Sequence, residues 1–419
     1  MTTTAPVPTY DVDIYADEAL LEPYDHYRAL RALGPAVWLR QHGAYAITRY
    51  TDVRAVLQDT DTFRSANGIA LNEPANQAIL GCTLASDGEL HAHLRQVVAH
   101  RLTPRSLRPM KERVAEAADA LVATLVERRS FDAVSDLARA LPLSIVPDFI
   151  GWPQQGREHL LRWAGANFDS FGPVNKRVEK ALPQCGEMAA FGAEIVRTGN
   201  VLPGSLGASV LEARNRGEVT TEQTMMLMLD YLAPSLDTTI SAIGSAVWLF
   251  GRHPDQWDRI REDPQLIPTA VNEVIRFESP ISSFGRLVVS DTEVDEVPIP
   301  AGSRVVVSYA SANRDERKWV DPDDFDVTRK DAVHQLGFGY GEHGCAGQAL
   351  ARMETESILA ALARSVTRFE LGTPRRALNN LIRSLGSVPV TVHTQGRHRH
   401  HLRPAALRGR APCTRARLC

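Results

Sequence analysis

Five stretches of the chain carry apolar residues at three- and four-residue spacing, the mark of helices with one buried face. They read ALVATLVERR, SIVPDFIGW, TMMLMLDYLAPSLDTTISAIGSAVWLF, LIPTAVNEVIRF and ALARMETESILAALARSV. Strand-like runs are fewer and shorter: AVWLR with AYAITRY near the start, then RLVVSDTEV, SRVVVSYAS and, near the end, VPVTVHT. VPIPAGSRV supplies a Pro/Gly turn between two of them. The pattern predicts a mainly α fold with small β-sheets, one large domain over residues 1–393.

The longest apolar run predicts one helix from Thr220 to near Phe250, roughly 30 residues or ~45 Å. Thr220 and Gln223 stand at capping-box spacing at its start. Pro234, Asp237, Thr238 and Thr239 break the apolar pattern in its middle. A buried acid is costly unless something holds it. Asp237 beside Thr238 therefore reads as a functional pair, or else as a solvent-facing acid on a surface helix. Pro234 has no N–H for the Asp230 carbonyl, which predicts a kink at that point.

Composition narrows the class. At 44% hydrophobic and 23% charged, the 419 residues suit a globular protein with an ample core. There is no apolar run of about 20 residues to span a membrane, and the first residues lack a secretory signal pattern. Cys82, Cys185, Cys345, Cys413 and Cys419 form no CxxC pair, so neither a disulfide framework nor a zinc ribbon is indicated. A reducing cytoplasm is the expected compartment. From Thr394 the chain carries seven arginines, three histidines and no acid. That tail, 394–419, reads as a disordered extension or as an anion-binding arm. The remaining chain is acidic, which argues against nucleic acid as a partner.

The candidate chemistry is concentrated in LGFGYGEHGCAGQALAR, residues 336–352. Gly339, Gly341 and Gly347 surround Cys345 just ahead of a helix, as if the backbone must turn sharply or approach something closely. Elsewhere, Glu273 and Arg276 share a helix face, as do His91 and Arg95, and Arg286 is a cation in strand-like sequence. Each feature alone has a structural explanation.

Jointly they resemble the cytochrome P450 family of the bacterial soluble type. Phe338 to Gly347 fits FGxGxHxCxG at every fixed position, and a Glu-x-x-Arg helix and an acid–alcohol pair lie upstream. The resemblance covers residues 10–393. It implies a P450 fold and a b-type haem whose iron is ligated by the Cys345 thiolate, with Phe338, Gly339 and Gly347 close to the sulfur. It further implies that His91, Arg95, Arg286 and His343 meet the haem propionates. Glu273, Arg276 and Arg329 would form a structural network behind the cysteine loop. Asp237 and Thr238 would relay protons for O2 activation. The implied activity is a monooxygenase that hydroxylates or O-dealkylates a small aromatic substrate. Its electrons would come from a separate ferredoxin and an NAD(P)H-dependent reductase. The alternative is a biosynthetic haem-thiolate enzyme of non-standard chemistry: peroxide use, cyclisation or nitrene-like transfer.

Two departures qualify the pattern. Pro234 and Ser235 stand where bacterial members usually carry Ala-Gly. FDSFGP, RFESP, SANRD and DVTRK resemble the group that oxidises para-substituted benzoates, whose members hold the substrate carboxylate with arginine and serine. The matching positions here are Asn67, Leu229 and Asp230, which cannot clamp an anion. Expected pocket residues are Phe168, Phe171, Leu229, Asp230, Pro234, Ser282, Ser283, Phe284 and Leu385.

Overall fold

A computed structural model describes residues 7–231 and 234–394. The basic tail from residue 395 on, with Cys413 and Cys419, lies outside the described residues. The helix Pro234–Arg252 is apolar on nearly every side and sits in the largest core cluster. A helix of that kind is buried all round, and it packs against the helices Ala140–Ile150, Ile267–Glu278 and Gln348–Ser365.

The expected single helix from Thr220 to Phe250 is two. The first, Thr221–Asp230, opens with the full reciprocal capping box of Thr220 and Gln223. It stops at Asp230, and the second begins at Pro234. Proline explains the break. In the middle of a helix it would orphan a carbonyl, whereas in a first turn its missing N–H would have no partner anyway. Pro234 therefore starts a helix; it does not kink one.

The main sheet has six strands in the order Thr9–Tyr10, Ala36–Leu39, Ala44–Ile47, Arg304–Ser308, Ser283–Val288, Phe63–Arg64. The Val-rich strand Arg304–Ser308 lies inside it, parallel to one neighbour and antiparallel to the other. RLVVSDTEV is divided between the strands Ser283–Val288 and Thr292–Val294, the latter in a separate hairpin. In a small second sheet, Pro389–His393 pairs with Arg368–Leu371 and Ser130–Asp132. Among the described residues, no helix is long and apolar enough to cross a membrane.

Candidate active site

The cysteine loop is closed by its own backbone. Gly339 N–H donates to the Leu336 carbonyl at 2.8 Å, and Cys345 N–H to the Phe338 carbonyl at 2.8 Å. Gly339 and Gly341 have φ of +71° and +70°, a region that L side chains rarely adopt. At Gly341 a Cβ would also stand 2.8 Å from the Leu57 carbonyl. Gly347 differs: its φ is −85°, and it caps the helix Gln348–Ser365. Burial pushes the Cys345 thiol pKa up, while the N–H groups of Gly347 and Gln348 and the charges of Arg95 and Arg352 favour the thiolate. The Arg352 guanidinium lies 4.7 Å from the centre of the Phe338 ring, holding that ring beside the loop.

A fully buried ion pair stands behind the loop. Arg276 Nε and Nη2 meet the Glu273 carboxylate at 2.7 and 2.8 Å, in bidentate geometry. Arg329 Nε reaches the same carboxylate at 3.3 Å. Arg276 also donates to the Asn313 carbonyl at 2.9 Å, and the Asn313 side chain accepts the Leu336 N–H at 2.7 Å. The pair is thus connected to the first residue of the cysteine segment.

In front of the loop is a largely apolar cavity of about 370 Å³. His91, Arg95, Arg286, Phe338, Gly339, His343, Cys345 and Gly347 all line it, brought together from three distant segments. Arg286 is only 2% exposed, yet its one hydrogen bond with defined partners goes to the neighbouring Gly285 carbonyl at 2.7 Å. Arg95 donates to the carbonyls of Glu342 and Gly344 at 3.1 and 2.5 Å. Neither arginine forms a salt bridge with a protein carboxylate among the described residues. The His91 and His343 rings lie 4.3 Å apart, and both nitrogens of His91 lack a hydrogen bond. Its Nδ1 is 3.0 Å from Glu342 Oε1 but not aligned for one. Burial and the neighbouring His343 push the His91 pKa down to about 4. His343 Nε2 lies 3.4 Å from Asp87 Oδ1, so the groups without an acidic partner are the two arginines. Buried guanidinium groups of that kind, with imidazoles beside them and a thiol nearby, fit a dianionic macrocycle such as haem.

The opposite wall comes from the start of the central helix, where Pro234, Ser235, Thr238 and Thr239 face the cavity. Thr238 donates to the Pro234 carbonyl at 2.7 Å and Ser235 to the Tyr231 carbonyl at 2.6 Å. Asp237 is not on that wall. It turns toward Gly165, where a Cβ would come 3.4 Å from Asp237 Oδ2. Burial raises its pKa to about 7, with Arg139 opposing and Asp169 adding to the shift.

Comparison with known proteins fits this arrangement. The Cytochrome P450 family profile matches residues 203–389. The chain is 39% identical to cytochrome p450 CYP199A2 of Rhodopseudomonas palustris, over 93% of this chain and 95% of the relative. The chain belongs to the cytochrome P450 family. It is also 29% identical to linalool 8-monooxygenase of Pseudomonas putida, over 91% of this chain and 97% of that one. Among solved structures, Mycobacterium marinum cytochrome P450 CYP268A2 in complex with pseudoionone matches with TM-score 0.83 and 26% identity, covering 93% of this chain and 100% of its own. Cytochrome P450 CREJ in complex with (4-ethylphenyl) dihydrogen phosphate matches at TM-score 0.81 and 26% identity, covering 89% and 98%. P450 enzymes are oxidoreductases that bind haem through a cysteine thiolate.

Within this P450, the expected substrate residues divide. Phe168, Phe171, Leu229, Asp230, Pro234 and Phe284 line the cavity. Ser282, Ser283 and Leu385 do not. Ser282 gives its hydroxyl to the Leu381 carbonyl at 3.0 Å, Ser283 pairs with Ser308 in the sheet, and Leu385 is buried in the main core. Side chains alternate along the strand Ser283–Val288, so Phe284 and Arg286 face the cavity and Ser283 does not. Asn67 is also remote, its carbonyl accepting from Arg304 at 2.6 Å. Among the wall residues not anticipated from sequence are Cys82, Thr83, Tyr231 and Glu354. Only Glu354 left a signal. It stands four residues from both Leu350 and Ile358, inside the apolar stripe of its helix.

Proposed function

We propose that this P450 is a cytoplasmic monooxygenase that binds haem through Cys345 and inserts oxygen into a small, flat, largely apolar aromatic substrate. The observation that carries the reading is the convergence of Cys345, the unpaired cation Arg286 and the Thr238 hydroxyl on one apolar cavity. Arg286, Arg95, His91 and His343 would neutralise the haem carboxylates. Once bound, haem supplies the reductive activation of O2, in which one oxygen atom enters the substrate and the other leaves as water. The chain's own task is to position substrate, exclude water and deliver two protons.

Thr238 presents a hydroxyl at the cavity wall, and Asp237, one residue back with a pKa near neutrality, can recharge it from outside the cavity. Phe168, Phe171 and Phe284 provide aromatic surface to orient a ring. Electrons would arrive from an acidic ferredoxin served by an NAD(P)H-dependent reductase. Arg105, Arg108, Lys111 and Arg113 are exposed in one stretch of chain whose helices pack on the cysteine helix, and would favour that encounter.

The test is spectroscopic. Reduced protein under carbon monoxide is expected to show the red-shifted Soret band of thiolate ligation, lost in Cys345→Ala and kept in Cys82→Ala. The same band in Cys345→Ala would overturn the assignment.

A further inference from the structure

Asp230 is the last residue of the helix Thr221–Asp230, and it faces the substrate cavity. Its carboxylate is removed from bulk solvent. Oδ2 accepts the Thr83 N–H at 2.7 Å. Burial raises its pKa, opposed only by Thr83 and Cys82, and no cation stands against it among the described residues. Next to it, the buried Thr83 hydroxyl stands close enough to favour the carboxylate and makes no well-aligned hydrogen bond to the protein. The nearby wall is apolar: Met225, Met226, Leu229, Phe168 and Phe171.

A carboxylate can accept about four hydrogen bonds, and leaving that capacity unused in an apolar enclosure is costly. A ligand carboxylate here would set two acids at short range in a low-dielectric site, where both cannot ionise together. A ligand donor would instead fill the empty acceptor positions, and a cationic donor would also neutralise the charge. The cations lining the cavity, Arg95 and Arg286, are assigned to haem, as are the imidazoles of His91 and His343.

We propose that Asp230, with the Thr83 hydroxyl, anchors a hydrogen-bond-donating head group, best an amine, on an otherwise apolar aromatic substrate. Asp230 is then the specificity determinant that separates this enzyme from P450s holding a carboxylate. The inference rests on the monooxygenase reading, and the two fail differently: without the carbon monoxide band the reading falls, whereas with it only the substrate class is at issue.

The experiment titrates the haem-loaded protein with 4-methoxybenzylamine, 4-methoxybenzyl alcohol and 4-methoxybenzoate, similar in size and differing in the head group. Dissociation constants come from calorimetry, and the Soret shift reports the mode of binding. The amine is expected to bind at least about tenfold tighter than the benzoate, with a blue shift and the alcohol between them. Asp230→Asn should bring amine and benzoate to within about threefold, and Asp230→Ser, which removes the same charge with a shorter side chain, serves if Asn disturbs haem content. Equal or tighter benzoate binding to the wild type overturns the proposal. So does a red shift with the amine, which would mean nitrogen on the iron, or an amine preference that survives both substitutions.

Discussion

The Thr238 hydroxyl donates to the Pro234 carbonyl at 2.7 Å, so the side chain that faces the cavity is oriented by the residue that starts its helix. The bond fixes one rotamer of Thr238 and leaves its oxygen free to accept from water. Thr238→Ala should lower product formed per electron pair by at least about tenfold and raise hydrogen peroxide release. Thr238→Ser should retain most coupling, because the same bond can form. Peroxide and product assays check both. Unchanged coupling in Thr238→Ala would remove the proton-relay role and favour the non-standard chemistry.

Asp237 gives a pH dependence. Its pKa, raised by burial to about 7, leaves the acid half protonated at neutrality. Turnover limited by proton delivery should fall as pH rises through that value. Asp237→Asn should be slower and lose the inflection near neutrality. Rate–pH profiles at saturating substrate, together with solvent isotope effects, measure it.

Glu273→Gln should be more damaging than a surface substitution of the same kind. It leaves the Arg276 guanidinium buried without its counter-charge, a loss of about 3–5 kcal/mol. Urea denaturation should report the loss, and the haem-to-protein ratio should drop as well, because Asn313 connects Arg276 to Leu336 at the head of the cysteine loop.

Glu354 is buried, both its oxygens lack partners, and desolvation alone raises its pKa from 4.5 to about 8. Between those values the folded protein holds a proton that the unfolded chain releases, so stability falls as pH rises. Glu354→Gln removes that slope. The variant should gain stability relative to wild type on going from pH 5 to pH 8, by a few kcal/mol at most. Melting temperatures across that range decide the matter.

Much of this site was legible in the sequence because its parts are constrained locally. The Phe338–Gly347 segment fixes a backbone path through Gly339 and Gly341, and the Glu273–Arg276 pair needs only one helical turn. The break at Pro234 was harder to read. An apolar pattern on both sides of a proline fits one bent helix as well as two separate ones, and the choice depends on which carbonyls find partners. Thr83 and Tyr231 reach the cavity through a loop and a helix end, for which no periodic pattern exists. Ser282 and Ser283 failed for the reverse reason, since pairing across the sheet, unreadable from one strand, decides which way they face.

If Arg286 meets haem as proposed, it would couple the cofactor to the stability of the whole chain. Strand pairing buries its guanidinium in the main sheet with no protein carboxylate against it among the described residues. A bound dianion would then serve as the fold's counter-ion as well as its reactive centre. Thermodynamic linkage then makes native-state occupancy depend on the supply of free haem. When haem is scarce, the unloaded chain would be less stable than the loaded enzyme and more open to clearance, so the amount of protein would fall along with its activity.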